Sequence, residues 1–220
     1  MRKAAPDMRI QKKQQFINCA YEILQTEGID HLSIRRLAKE MGCTSTTLYT
    51  YFDNVEHLIT MASIRYLKGY MADFKRINSE KHDPLELNIL LWERFVTYAL
   101  ENVDIFEMLF FGKYSDELVD IVYEYYEMFP DEFEELDGLI VSVMFNGDLR
   151  ERDYIMFRRA ASMGYLDQQS AAMLAQMDEF LFHGLLMKYK NLKLSAEEIE
   201  SKTAEFINII RKVIEKFRLK

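Results

Sequence analysis

Seven of the eight residues from Thr44 to Tyr51 carry a hydroxyl: Thr44, Ser45, Thr46, Thr47, Tyr49, Thr50 and Tyr51. Two adjacent arginines, Arg35 and Arg36, lie shortly upstream. Hydroxyls both donate and accept, and guanidinium groups offer paired donors to base edges or phosphate oxygens. This set of groups suits gripping a polar surface more than transforming a substrate. The chain has no Gly-x-Ser-x-Gly elbow, no phosphate loop and no His-Glu-x-x-His, and its four histidines, His31, His57, His82 and His183, lack metal-ligand spacing. No enzymatic activity, metal or cofactor is therefore expected.

The elements that must position these groups are two short helical patterns hinged at Gly42. In the first, Ile34, Leu37, Ala38 and Met41 recur at intervals of three and four, with Arg35, Arg36, Lys39 and Glu40 on the other side. Gly42 suits a left-handed stop, and Thr44 suits capping of the next helix. There Leu48, Tyr51 and Phe52 share one side, while Ser45, Thr46, Tyr49 and Thr50 share the opposite one. Small hydroxyl side chains let such a helix approach the major groove closely. An ordinary solvated helical hairpin would carry the same pattern.

The stretch from Glu27 to Ala38, followed by Gly42-Cys43-Thr44-Ser45-Thr46-Thr47-Leu48-Tyr49-Thr50-Tyr51-Phe52 and Asn54-Val55-Glu56-His57-Leu58, resembles the tetracycline-repressor-like (TetR) family of bacterial regulators. The resemblance covers about the first 60 residues, and several interlocking positions agree. It implies an all-α protein with a helix-turn-helix DNA-binding domain over 1–57 and a helical ligand-sensing and dimerisation domain over 58–220. It also implies a homodimer pairing through the last two helices, a palindromic or pseudo-palindromic double-stranded operator, and repression relieved by a small-molecule inducer. Ser45, Thr46 and Tyr49 would then lie near base edges, with Thr44, Thr47, Thr50 and Tyr51 near phosphate or supporting the helix, and Arg35 at a base or phosphate. Each has a plainer role open to it: Tyr51 as packing, Thr44 as a cap, Arg35 as a solvated charge. The family commonly has a lysine where this chain has Val55, so one phosphate contact is missing.

Whole-chain charge conceals a polarity. The net charge is −8 over 220 residues, yet residues 1 to 52 hold eight bases (Arg2, Lys3, Arg9, Lys12, Lys13, Arg35, Arg36, Lys39) against five acids (Asp7, Glu22, Glu27, Asp30, Glu40). A basic head on an acidic body directs phosphate to one end. Arg2 to Lys13 reads equally as a solubilising tail or a phosphate-binding arm. Two cysteines, Cys19 and Cys43, make no disulfide framework and read as small core residues. No run approaches a membrane span and no signal peptide is evident, so a soluble cytoplasmic protein without membrane contact is expected.

Along the chain, helices are expected at about 11–27, 33–41 and 45–51, then a long helix capped by Asp53, with Glu56 completing a capping box, and running to about Asn78. Asp83-Pro84 starts another. Shorter helices follow near 103–111, 115–129, 131–145 and 148–163, and two strong ones at about 169–189 and 196–219, the last opened by a Ser195–Glu198 capping box. Ala171, Ala172, Ala175 and Gly184 would let the dimer helices approach closely.

For a ligand, Trp92, Phe95, Phe110 and Tyr126 are the candidate contacts, with Met108, Met128, Met144 and Met156 as adaptable surface. His183 reads as a satisfied core residue. Ten acids and no base occur from Asp116 to Asp137, with Tyr123, Tyr125, Tyr126, Phe129 and Phe133 among them. Such a run suits an organic cation, a partner surface or a solvated face. A body that senses a protein partner instead of a metabolite is the alternative function.

Overall fold

The structure, a computed structural model, describes residues 8–132, 139, 142–143, 146 and 148–220. Among these are eleven α-helices and three 3-10 turns, with no strand. The chain divides into two compact units, one of Met1–Arg65 with Asp120–Glu134 and the other of Tyr66–Val119 with Glu135–Lys220. The division at 65/66, and the inclusion of 120–134 with the head, differ from a boundary after residue 57.

The first unit is built on α1 (Met8–Glu27), α2 (Ile34–Glu40), α3 (Ser45–Leu48) and α4 (Val55–Ser63). The inward stripe of α1, Phe16, Ile17, Ala20, Ile23 and Leu24, is buried as the helical period requires. Phe16 meets Tyr51 edge-on at 5.4 Å and Phe52 at 6.2 Å, closing the hairpin onto α1. Gly28 ends α1 at φ 89° and Gly42 ends α2 at φ 60°, left-handed conformations that glycine adopts without a Cβ penalty. Ser33 caps α2 by accepting from the Arg36 N–H, and Thr44 caps α3 by accepting from the Thr47 N–H.

Three local expectations change. The α3 helix has one turn, and Thr50 and Tyr51 bond back three residues to Thr47 and Leu48 rather than continuing it. Asn54, not Asp53, caps α4, its Oδ1 accepting from the His57 N–H at 2.9 Å, so the Asp53–Glu56 box does not form. The long helix to Asn78 is interrupted: α4 ends at Ser63, a 3-10 turn spans Ile64–Leu67, and α5 runs Lys68–Ser79.

The second unit surrounds α6 (Pro84–Glu101), whose start is fixed by Asp83 accepting from the Leu85 and Glu86 N–H groups at 3.0 Å each. Packed on α6 are α5, α7 (Val103–Phe111), α9 (Leu149–Ser162), α10 (Gln168–Tyr189) and α11 (Ala196–Phe217), and α11 opens with the Ser195–Glu198 capping box. Trp92 and Phe95 of α6 form the aromatic centre with Phe182 of α10, at 5.5 and 5.1 Å. Between α7 and α9 lies α8 (Leu118–Met128), which begins in this unit and continues in the first. The expected helix near 131–145 falls largely outside the described residues.

On α10, Ala171 and Ala175 are fully buried within their own unit and are therefore unavailable to a partner. Met173, Phe180, Gly184 and Met187 face outward instead. No helix among the described residues is long and apolar enough to cross a membrane. The two capping assignments separate cleanly in solution: Asn54→Ala should destabilise the head by about 1 kcal/mol, whereas Asp53→Ala should change it by less than about 0.5 kcal/mol, measured by urea unfolding.

Candidate functional site

The hairpin divides its polar side chains into two groups. Thr44 Oγ1 takes the Thr47 N–H and lies 3.1 Å from Thr47 Oγ1, and Thr50 Oγ1 donates to the Thr47 carbonyl at 2.7 Å. Arg36 makes two hydrogen bonds to the Glu27 carboxylate and reaches the His31 carbonyl. That bonded pair holds the guanidinium above its ordinary pKa and the carboxyl below its own. These groups brace the hairpin. Arg35, by contrast, is exposed and makes no hydrogen bond or ion pair with the described residues. Thr46 is exposed, and Tyr49 is 57% exposed despite its ring. Ser45 is half-buried at the start of α3, and Tyr51 is half-buried against Phe16.

The start of α1 contributes to the same face. Arg9 Nη2 donates to the Thr50 carbonyl at 3.2 Å, and Met8, Arg9 and Lys12 line a shallow depression with Thr47, Thr50 and Tyr51. The helical spacing of Arg9, Lys12 and Lys13 was the available signal for an ordered basic edge. Arg2, Lys3 and Asp7 lie outside the described residues.

The acidic segment lies against the head's own cations. Lys13 Nζ is 2.5 Å from Glu124 Oε1, and Gln14 donates to the Met128 carbonyl. Arg65 donates from Nη2 to Asn18 Oδ1 and to Glu132 Oε1, and from Nε to the Tyr125 hydroxyl, each at 2.7 Å. Its guanidinium also sits 5.1 Å from the Tyr21 ring and 4.9 Å from Phe129. Burial opposes the charge, but the bonds to Glu132 and Tyr125 more than offset it and raise the Arg65 pKa. Burial and the Glu132 bond raise the Tyr125 phenol. The cation that this carboxylate and aromatic mixture holds is thus intramolecular. Asp116, Glu117, Asp120, Glu127 and Asp131 remain exposed, whereas Phe133, Glu134, Glu135 and Asp137 lie outside the described residues.

In the second unit a cavity of about 40 Å³ is lined by Tyr70, Phe74, Trp92, Phe95 and Met156 among other apolar groups, and by the polar Asn88, Arg152 and Asp153. Trp92 Nε1 donates to Asp153 Oδ1 at 2.9 Å. Asn88 and Asp178 are buried beside the same Asp153 carboxyl and bond to it, so Asn88, Trp92, Asp153 and Asp178 form one polar cluster. Burial pushes the Asp153 carboxyl up to about 6. Burial and then the Asp153 charge raise Asp178 well above the carboxylate range. Burial lowers Arg152 to about 10, and its guanidinium lies 4.8 Å from the Phe110 ring while Nε donates to the Asn146 carbonyl.

A family model described as bacterial regulatory proteins, tetR family, matches residues 16–60, which span the hairpin and both its braces. Residues 16–60 thus carry a TetR-family DNA-binding head. An HTH-type transcriptional regulator of Staphylococcus aureus is 25% identical over 133 residues, covering 56% of this chain and 72% of that one. A second, from another S. aureus strain, is 24% identical over 142 residues, covering 60% and 75%. Among solved structures, Thermus thermophilus FadR, a TetR-family repressor in complex with lauroyl-CoA, superposes with a TM-score of 0.59 at 12% identity over 91% of this chain and 94% of that chain. Bacillus subtilis FadR in complex with stearoyl-CoA gives 0.50 at 13% identity over 90% and 96%. The protein is a DNA-binding transcriptional regulator with a TetR-family head.

Of the ligand candidates, Trp92 and Phe95 line the cavity, Phe110 backs it through Arg152 and Phe95, and Tyr126 belongs to the other unit, edge-on to Tyr125 at 5.3 Å. Sequence reading missed Asn88, Arg152, Asp153 and Asp178, since each looks like an ordinary surface residue of a helix. Met156 lines the cavity, Met128 is buried in the first unit, Met108 is half-buried, and Met144 lies outside the described residues. His183 is half-buried and stacked on Phe111 at 4.0 Å, and Cys19 and Cys43 are half-buried free thiols.

A buried carboxyl with a raised pKa binds more protons folded than unfolded, so its contribution turns unfavourable as pH rises above about 4 and stops growing above the raised value. For Asp153 alone, the shift to about 6 corresponds to about 3 kcal/mol. Asp178→Asn should therefore raise Tm by roughly 5 °C at pH 7.5 and by little at pH 4.5, in thermal unfolding followed by circular dichroism. An equal effect at both pH values would mean that burial does not raise these carboxyls.

Proposed function

We propose that the protein is a homodimeric repressor whose heads read a palindromic or pseudo-palindromic operator and release it when a small molecule enters the helical body. The observation that carries the reading is the division within the hairpin. Arg36, Thr44, Thr47 and Thr50 are engaged in bracing it, while Arg35, Thr46 and Tyr49 face outward with Ser45 at the leading end of α3. In this reading Ser45, Thr46 and Tyr49 meet base edges, Arg35 a base or phosphate, and Arg9, Lys12, Thr44, Thr47, Thr50 and Tyr51 the backbone or the helix itself. Symmetric regulators place two heads about 34 Å apart, or a multiple of it. The outward stripe Met173, Met177, Phe180, Gly184 and Met187 on α10 has the spacing of a helix seam and would be covered by a twin helix.

The chain leaves the head at Arg65 and re-enters it through α8. Arg65 ties these two connections together, so it is the proposed route by which an event in the body alters the head. The FadR proteins bound to acyl-CoA support a ligand-responsive body, while their low identity leaves this chain's own ligand open. A body that senses a protein is the second reading, favoured by a cavity of only about 40 Å³ and by the exposed acids of α8. It predicts that no small molecule displaces the operator.

With an operator selected from a random DNA pool, Arg35→Ala and Tyr49→Ala should each weaken binding about tenfold in a fluorescence anisotropy titration, and Arg35→Ala should flatten the salt dependence by about one ion. Unchanged affinity in both variants would refute the placement of the hairpin. Arg65→Ala should accelerate amide exchange over residues 120–128 at least about tenfold while operator affinity changes by less than threefold. Full protection of α8 in that variant would remove Arg65 from the route.

A further inference from the structure

The cations of α1 are turned to different partners. Arg9 and Lys13 lie one turn apart on α1, and with Tyr51 they line a groove of about 280 Å³ whose other wall is Glu124, Glu127 and Met128 of α8. Arg9 reaches the Thr50 carbonyl of the hairpin at 3.2 Å. Lys13 turns to α8 instead: its Nζ lies 2.5 Å from Glu124 Oε1 and 5.2 Å from the centre of the Phe52 ring, and its side chain is 13% exposed. The Glu124 side chain is 45% exposed, so the ion pair opens to solvent on one side. Other contacts hold α8 in place here, since Gln14 donates to the Met128 carbonyl and Arg65 bonds to Tyr125 and Glu132. Glu124 is therefore presented to Lys13 by a frame that does not depend on the pair itself.

We propose that Lys13 is a further ligand for the operator backbone and that Glu124 withholds it, the carboxylate and a duplex phosphate competing for one ammonium. This rests on the reading of the hairpin as the operator-facing surface and adds a contact that the reading does not contain. A carboxylate and a phosphodiester both present anionic oxygens, and the lysine ammonium is a point charge on a flexible stem, so it passes from one to the other by turning about its own bonds. Arg36 lacks that freedom, because its two bonds to Glu27 fix the guanidinium plane. The groove supplies room for the turn, and it opens beside Arg9 and Tyr51, which also border the depression at the hairpin's outer edge. A half-exposed ion pair is weak enough to be exchanged, and its loss is worth a few-fold in affinity. Because α8 begins in the second unit and carries Glu124, how firmly it is seated on α1 sets how firmly Lys13 is withheld.

The full chain is titrated with the selected operator by fluorescence anisotropy over a salt series centred on about 0.15 M. Glu124→Gln should tighten binding at least about threefold and steepen the salt dependence by about one ion, since one more phosphate is neutralised. Glu127→Gln removes the same charge from the same wall of the groove, and should change affinity by less than about 1.5-fold. Introduced into Lys13→Gln, Glu124→Gln should likewise change affinity by less than about 1.5-fold, because the group it releases is gone. Glu124→Asp, which keeps the charge and shortens its reach, should give part of the gain and serves should the glutamine variant not fold. Unchanged affinity in Glu124→Gln overturns the inference, as does an equal gain from Glu127→Gln, a gain that survives in Lys13→Gln, or a gain that leaves the salt dependence unaltered. Specific operator binding by the unmodified chain together with any of those failures removes the role of Lys13 alone, whereas absence of specific operator binding by the unmodified chain removes the regulator reading itself.

Discussion

The guanidinium of Arg65 is the constraint around which the first unit is organised. Its side chain is only 16% exposed, so its charge must be met inside the protein, and Glu132, Tyr125, Asn18 and two aromatic rings meet it. An arginine is suited to this role because its planar fork bonds in several directions while its faces stack on rings. The consequences extend outward. Ile64–Leu67 departs from α-helix geometry where Arg65 turns toward these partners, and the segment that supplies Glu132 is held on α1 by the same contacts, with Lys13–Glu124 as a second tie. Removing the guanidinium would leave the Glu132 carboxylate with the Tyr125 hydroxyl, which donates to it at 2.7 Å, but without its neighbouring cation.

This arrangement revises how the charge of the head operates. The five acids Asp120, Glu124, Glu127, Asp131 and Glu132 join the first unit with no base among them, which outweighs the positive excess of residues 1 to 52. Lys13 and Arg36 are moreover engaged with carboxylates of the same unit. Attraction of the duplex therefore rests on where the remaining cations stand rather than on the sign of the unit. Arg35 and Lys39 on α2 and Lys12 on α1 flank the hydroxyl face, and the acids lie on α8 and the turn after it. Field strength falls within about a Debye length of 8 Å at physiological salt, so local placement governs contact while net charge governs distant approach.

The parts of the fold governed by neighbouring residues were legible in the sequence, and those governed by distant ones were not. Gly28, Gly42, Ser33, Thr44, Asp83 and the Ser195–Glu198 box act within a turn of their own position, and each does what its type and spacing imply. The exchange of Asp53 for Asn54 as the α4 cap is a slip of one residue between two competent side chains. The interruption at Ile64–Leu67 was hidden because its apolar residues continue the helical pattern, and its partners Tyr125 and Glu132 are 60 and 67 positions away. In the candidate site the hairpin's outward hydroxyls and Arg35 were legible from periodicity, whereas the engagement of Arg36 with Glu27 required the fold. The body was least legible. Arg152 and Asp153 stand in a run of charged residues, Arg150 to Asp153, that resembles a solvated face, and only the buried positions Leu149, Met156 and Phe157 on the same stripe reveal that α9 turns this part inward.

Buried charge of this kind is a poor way to stabilise a helical body, and that is the reason to connect it with regulation. An apolar core of the same volume would be the more stable one, since burying two adjacent carboxyls and a guanidinium lowers stability. The free energy available to shift a two-state equilibrium is the difference in a ligand's affinity for the two states. A shift from 1:99 to 99:1 requires about 5.5 kcal/mol of such difference. Under the proposed sensor reading, part of that difference would come from occupancy of the polar cavity, because the buried charges around it already cost the second unit stability.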